Sequence, residues 1–257
     1  MKVVYHDPLE ANVNWYTMAD PEEVGQKAAR LIKAQLNRKP DSVLVFPTGN
    51  TPIPMYACLR AMTTREQYRI DWAKARLFHL DEYLPRGGAP LAESLSFRHY
   101  LNEALWGLPE LENACKYYLM DYLESPMAYE QAIRDCGGPD LVILGIGRNG
   151  HIAFLEPGFD PAHSPTGVVT LKPQTIEANF GDRSLGWTDQ AVSLGWDILQ
   201  TARHILLLAT GDATKGVITR EAFSPETIPS AQLPASLLRT LTHAEVSVIT
   251  DFPFDKA

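Results

Sequence analysis

The sequence predicts an α/β fold, a mainly parallel sheet covered by helices on both faces to make a three-layer sandwich. Short runs rich in Val, Ile and Leu alternate with longer segments of helical spacing. Those runs are apolar at nearly every position rather than every second one, as in strands buried on both sides.

The first clear helix opens at DPEE, with Asp20 as N-cap, Pro21 in the first helical position and Glu23 closing a capping box. DSVLVFPTG is a strand ending at Pro47, and ARLFHLDEY a second from about Ala75 to Leu80. LSFRHYLNEALW has helical spacing through Phe97, Leu101, Ala104 and Leu105. SPMAYEQAIRDCGG is a helix capped by Ser125 and ended by Gly137, and DLVILGIG is the next strand. RHILLLATG and EVSVITD are further buried-type strands, with helices from about Thr214 to Phe223 and Pro234 to Leu241. The least regular region is Phe159 to Trp187, where scattered Pro, Gly, Ser and Thr suit a long loop or a lid over a site.

A chain of 257 residues favours one large domain over two small ones. With 45% hydrophobic and 21% charged residues it has the composition of a globular protein, and a net charge of −8 argues against a nucleic-acid surface. What remains is a protein that binds something small. Cys58, Cys115 and Cys136 lack metal or CxxC spacing and fit free thiols in a reducing cytoplasm. The N-terminal MKVVYHDPLEANVNW has no long apolar core, and no run of eighteen apolar residues occurs, so neither a signal peptide nor a membrane span is expected.

In open sheets of this kind ligands sit beyond the carboxyl ends of the strands, and polar or glycine-rich sequence falls there four times. Thr48, Gly49, Asn50 and Thr51 follow one strand and precede a helix, a setting that suits a phosphate, although the lysine and spacing of a nucleotide P-loop are missing. TGDATKG makes a similar turn and adds Lys215 as a point charge. The competing readings are a plain strand-to-helix turn and a solvated lysine. In LDEY, Asp81 and Glu82 should point in different directions, so one faces the site. A carboxylate there could abstract a carbon-bound proton; a helix cap or surface acid is the alternative. In LVILGIGRNGHIAFLEPG, Gly145, Gly147 and Gly150 turn the chain after a buried strand, and His151 and Glu156 follow. As a histidine–carboxylate pair they would serve sugar-ring opening, where a proton moves between ring oxygen and anomeric hydroxyl; otherwise His151 is structural. GIGRNG has the letters of a dinucleotide fingerprint, but no acid ends a strand about twenty residues on.

LVILGIGRNGHIAFLEPG closely resembles the signature of the glucosamine-6-phosphate deaminase (isomerase) family. FPTGNTP, FHLDEYL, SFRHYLNEALW, LLLATGDATKG and LPASLLRTL are similar to further blocks of that family, in its order, from about Asp41 to Asp251. The family shares its fold with 6-phosphogluconolactonases and, more distantly, sugar-responsive regulators. The tyrosine of DEY, Tyr83, is deaminase-like where lactonases typically carry arginine. The resemblance implies a single Rossmann-like domain over residues 1–257, with a lid at about 159–187 and metal-free, cofactor-free chemistry. The implied reaction takes glucosamine 6-phosphate and water to fructose 6-phosphate and ammonia. Asp81 matches the base that moves a proton between C2 and C1, His151 the ring-opening histidine and Glu156 its carboxylate partner. Asn149 matches a position that is Asp or Asn among members, and Thr48 to Thr51 with Lys215 match phosphate-binding elements. The expected partner is a small sugar phosphate; self-association stays open.

Three departures bear on this. Leu155 replaces the family's Asn in HIAFNEPG. The lid reads TIEANFGDRSLGW in place of TIIANSRF, so Arg183 is the candidate for the lid's phosphate-binding arginine. The basic allosteric positions of some members fall at Gly167 and Val169, so activation by an amino-sugar phosphate is not expected. Galactosamine 6-phosphate is the alternative substrate and a lactonase the rival enzyme. A non-enzymatic sensor would need no Asp81, His151 and Glu156, and normally carries a DNA-binding domain for which the sequence has no room before the sheet begins.

Overall fold

The computed structural model describes residues 4–5, 12–86, 92–181, 186–211 and 213–254. In chain order its strands and α-helices are β1 (Val4–Tyr5), β2 (Val13–Thr17), α1 (Pro21–Arg38), β3 (Val43–Phe46), α2 (Ile53–Thr64), β4 (Arg76–His79), β5 (Asp81–Tyr83), α3 (Phe97–Leu101), β6 (Cys115–Tyr117), α4 (Pro126–Asp135), β7 (Leu141–Gly145), β8 (Gly167–Thr170), α5 (Pro173–Phe180), β9 (Gln190–Ser193), α6 (Trp196–Leu199), β10 (His204–Ala209), α7 (Ala213–Phe223) and β11 (Glu245–Thr250). Eight strands form one sheet in the order β1-β2-β11-β10-β7-β3-β4-β6, and β5, β9 and β8 form a separate three-stranded sheet. The large sheet is parallel except for the β1–β2 pair, and the small one is antiparallel.

The uninterrupted apolar runs are explained by burial on both faces. Val43 and Val45 pack into one core, Leu44 and Phe46 into the other; β7 and β10 divide their side chains in the same way. α1 and α2 cover one face, and α4, α6 and α7 the other. Asp20 caps α1 as predicted, its carboxylate accepting from Glu23 N at 2.8 Å, but Glu23 Oε2 accepts from Ala19 N at 3.3 Å, one residue before the cap, so the box does not close on Asp20 itself. Among the described residues, no helix is long and apolar enough to cross a membrane.

Several expectations change in detail. Ser125 occupies the N-cap of α4, but its side chain makes no capping hydrogen bond; Pro126, whose fixed φ suits a first helical turn, follows it. α3 stops at Leu101 and continues as a π-helical turn, Asn102–Trp106, where the Arg60 guanidinium takes the carbonyls of Glu103 and Ala104. Pro234–Thr240 is a 3-10 rather than an α-helix. The supposed loop from Phe159 to Trp187 contains β8 and α5, and the small sheet pairs β8 with β9.

The chain order shows where a site belongs. From β3 it runs outward through β4 to β6, then returns to place β7 on the other side of β3 before β10 and β11. The chain connections therefore leave in opposite directions at the paired strands β3 and β7, and the crevice beyond their carboxyl ends is the natural place for a ligand.

Candidate active site

That crevice is a cavity of ≈540 Å³, and the residues around it come from four strand ends. Thr48, Gly49, Asn50 and Thr51 follow β3; Asp81 and Tyr83 lie on β5; Asn149 and His151 follow β7; Lys215 stands in the first turn of α7, after β10.

The phosphate-type corner is built first by the β3–α2 turn. Gly49 has φ +91°, a left-handed conformation that favours glycine. Tyr56 Oη donates to the carbonyl of Pro47 at 2.6 Å, and Tyr100 Oη to that of Gly49 at 2.9 Å, which pins the turn from both flanks. Across the end of β7, Lys215 Nζ donates to Thr51 Oγ1 at 3.2 Å. Arg148 lies between these two arms, because β7 sits between β3 and β10, and it lines the same cavity. Sequence reasoning passed over it because a lone arginine in a turn looks like a solvated charge. Arg183 lies outside the described residues.

Asp81 reaches the cavity through a change of sheet. Leu80 N donates to Phe46 O at 3.1 Å, holding the large sheet, while Leu80 O accepts from Leu194 N at 3.0 Å, holding the small one. The next residue is therefore buried at the junction, and Asp81 is only 6% exposed. Burial, and then the neighbouring charge of Glu82, pushes the Asp81 carboxyl up to about 8. Glu82 points away, as strand alternation requires. Its carboxylate accepts from Phe97 N and Arg98 N, both at 2.8 Å, and from Ser96 Oγ at 3.2 Å, so it holds the first turn of α3. The helix-cap reading of this acid pair is thus realised by Glu82, and Asp81 is the one that faces the cavity.

The glycine turn after β7 presents His151. A Cβ on Gly147 would lie 2.3 Å from Cε1 and 2.5 Å from each nitrogen of the His151 ring, so the ring lies flush against the glycine. Gly150 has φ +83°, and a Cβ there would strike Leu233 Cδ1 at 2.3 Å. Glu156 stands behind the histidine rather than in the cavity wall, with Oε2 3.7 Å from His151 Nδ1. Its closer partners are Asn149 Nδ2 at 2.8 Å and the Lys172 N–H at 3.2 Å. Burial would raise the Glu156 carboxyl, but the His151 ring 3.7 Å away, Thr175 and the Asn149 amide together hold it at about 2. Such a carboxylate stabilises the fold above its ordinary value of 4.5, and that contribution fades as pH falls through about 2. Leu155, in place of the family's polar residue, is buried in the core.

The roof over His151 is α5, whose Gln174, Thr175, Ala178 and Asn179 face the cavity. It is fastened to β5 by Phe180, 4.7 Å from the Tyr83 ring centroid, and by a hydrogen bond between Asn179 and Tyr83. Thr175 and Asn179 are the threonine and asparagine that TIEAN shares with the family's TIIAN, but sequence reasoning assigned neither a role because both sit in the stretch of weakest periodicity. Among the described residues, no three His, Cys, Asp or Glu side chains converge as a metal site would need.

Known proteins match both the sequence and the fold. A family model described as glucosamine-6-phosphate isomerases/6-phosphogluconolactonase matches residues 19–247. The chain belongs to this family. It is 39% identical to a glucosamine-6-phosphate deaminase of Geobacillus sp. (strain WCH70), with 91% of each chain covered. It is 36% identical to glucosamine-6-phosphate deaminase 2 of Bacillus subtilis (strain 168), covering 90% of this chain and 92% of that one. The solved structure of a monomeric glucosamine-6-phosphate deaminase superposes with a TM-score of 0.78 at 31% identity, covering 93% of this chain and 96% of the other. A 6-phosphogluconolactonase from Shewanella baltica OS155 shares the fold, with a TM-score of 0.68 at 20% identity over 95% and 99% of the two chains.

Gly147→Ala tests the seat of the family histidine. The Gly147 backbone is outside the left-handed region, so an alanine is strained only by the His151 ring. Displacing that ring should cut turnover by about 100-fold, with a melting temperature near wild type; thermal melts alongside rate measurements check this.

Proposed function

We propose that this chain is an isomerising deaminase that converts glucosamine 6-phosphate and water to fructose 6-phosphate and ammonia. The observation that carries this reading is one cavity holding a proton-transfer acid, a histidine and an anion corner on four neighbouring strand ends. The names of the relatives over about nine-tenths of the chain support the same substrate.

The phosphate docks at Thr48–Thr51 and α2's N-terminus, where Lys215 and Arg148 match its two negative charges. His151 moves a proton between the ring oxygen and the anomeric hydroxyl, which opens the pyranose to the aldehyde. Asp81 then takes the C2 proton and returns it to C1, while the aldehyde oxygen takes a proton from the C2 ammonium, leaving a hydroxyl at C1 and an iminium at C2. Water adds to that carbon and ammonia leaves. The C2 proton is weakly acidic, and a base pushed up to about 8 is far stronger than an exposed carboxylate. Tyr83 and α5 close the cavity above the sugar. The deciding experiment measures ammonia release from glucosamine 6-phosphate, galactosamine 6-phosphate and 6-phosphogluconolactone. Ammonia should come fastest from the first; hydrolysis of the lactone without amino-sugar turnover would overturn the reading.

Asp81→Asn should lower kcat by about 100- to 10,000-fold while leaving substrate binding within a few-fold. The same variant should be more stable at high pH. Because the folded carboxyl titrates near 8 against 3.8 in the unfolded chain, ionising it costs stability progressively as pH rises between those values. The amide carries no such penalty, so we expect a gain of about 1–2 kcal/mol, or roughly 2–8 °C in Tm, at pH 8 and little at pH 4. Thermal melts of both proteins across that range read the difference.

Lys215→Ala and Arg148→Ala should each raise KM by about 10- to 150-fold through loss of a charge-assisted phosphate contact, with a smaller change in kcat. Competitive inhibition by inorganic phosphate should weaken in parallel. Saturation curves unchanged from wild type would return either residue to the protein surface.

A further inference from the structure

The pair His151 and Glu156 is 3.7 Å apart, long for a direct hydrogen bond, and a third side chain stands between them. Thr175 Oγ1 lies 3.4 Å from His151 Nδ1, and the same hydroxyl hydrogen-bonds the Glu156 carboxylate. Thr175 is 3% exposed, in the first turn of α5, where its own N–H is taken by Lys172 O at 2.9 Å.

We propose that Thr175 is a positioning residue that links His151 to Glu156 and fixes which ring nitrogen carries the proton; this rests on the deaminase reading of the site. The direction of the chain of hydrogen bonds follows from counting protons. Glu156 is held ionised, so it accepts only. The single hydroxyl proton of Thr175 therefore goes to Glu156, and its oxygen is left to accept from His151. That requires a proton on Nδ1. In the neutral ring Nε2 then keeps the lone pair and is the nitrogen that takes and gives the sugar's proton. Asn149 steadies the arrangement from the other side: its amide donates to Glu156 Oε2 at 2.8 Å, and its Oδ1 accepts from the backbone N–H of His151 at 3.2 Å. The carboxylate is thus held in place by donors from the β7 turn and from α5 together. The consequence is that the roof helix, through one hydroxyl, completes the acid–base group on the floor of the cavity.

Two variants test this. Thr175→Val keeps the shape and removes the hydroxyl, and Thr175→Ser keeps the hydroxyl and removes the methyl. We expect the valine variant to lose about 10- to 100-fold in kcat with KM within about threefold, and the serine variant to recover most of the rate. The imidazole nitrogen resonances of His151, assigned with His151→Gln, should report the Nδ1–H form in wild type and the serine variant. In the valine variant they should shift toward the Nε2–H form. Wild-type kcat and an unchanged histidine spectrum in the valine variant would overturn the proposal. So would equal losses in both variants with the histidine spectrum unmoved, which is the mark of a purely structural threonine. The spectrum needs no substrate. If wild type released no ammonia from any hexosamine phosphate, the deaminase reading would fall while the role of Thr175 in setting the histidine could still be read.

Discussion

The geometry of the site depends on what the chain does at Leu80. A strand of the large sheet ends there and a strand of the small sheet begins, with one backbone amide bonded to β3 and one carbonyl to the segment after β9. A residue placed at such a junction is surrounded by both sheets and has little access to water. Asp81 is that residue. Its burial follows from where the two sheets meet, and its high proton affinity follows from its burial. Moving the change of sheet by one residue would exchange the environments of Asp81 and Glu82, since their side chains point to opposite faces.

The site uses carboxylates in three environments. Asp81 is buried with few compensating donors and is pushed up. Glu156 is also buried, yet its hydrogen bonds and the His151 ring outweigh that and hold it low. Glu82 serves as the cap of α3, and through Tyr100 that helix braces the turn at Gly49. Carboxylates pushed apart by their surroundings can take separate roles, one exchanging a proton with substrate and one staying charged to hold a histidine. The Glu82 cap links these roles mechanically, because the backbone that aims Asp81 into the cavity also fastens the wall opposite.

The roof is joined to this framework by packing as well as by polar contacts. Tyr83, Phe154 and Phe180 form a small aromatic core between the small sheet and α5, apart from the two large cores of the sandwich. That core sets the height of α5 above His151, and so the position of Thr175. Tyr83 thereby has a structural role of its own. Its ring supports α5 and its hydroxyl meets Asn179.

The layered sheet was legible in the sequence because burial on both faces leaves a local signature: VLVF, LVILG and ILLLA are apolar without interruption. The strand ends were legible for the same reason, since glycine and polar residues stop such runs abruptly, and Thr48–Thr51, Asp81, Asn149, His151 and Lys215 all meet at one cavity. The second sheet was not. β5, β8 and β9 have three or four residues each and acquire their partners from distant parts of the chain, so no periodicity within them announces a strand. Arg148 looked like a surface charge until the strand order placed it between β3 and β10. Thr175 heads the stretch that resembles the family's lid, yet its role could not be read there, because it lies in two contacts, with His151 and Glu156, that exist only once α5 lies over the β7 turn. Sequence determined which residue types stand at the strand ends, through local burial and local turns. Tertiary structure decided which of them face one another, because protonation and hydrogen bonding are set by neighbours that the chain brings together only on folding.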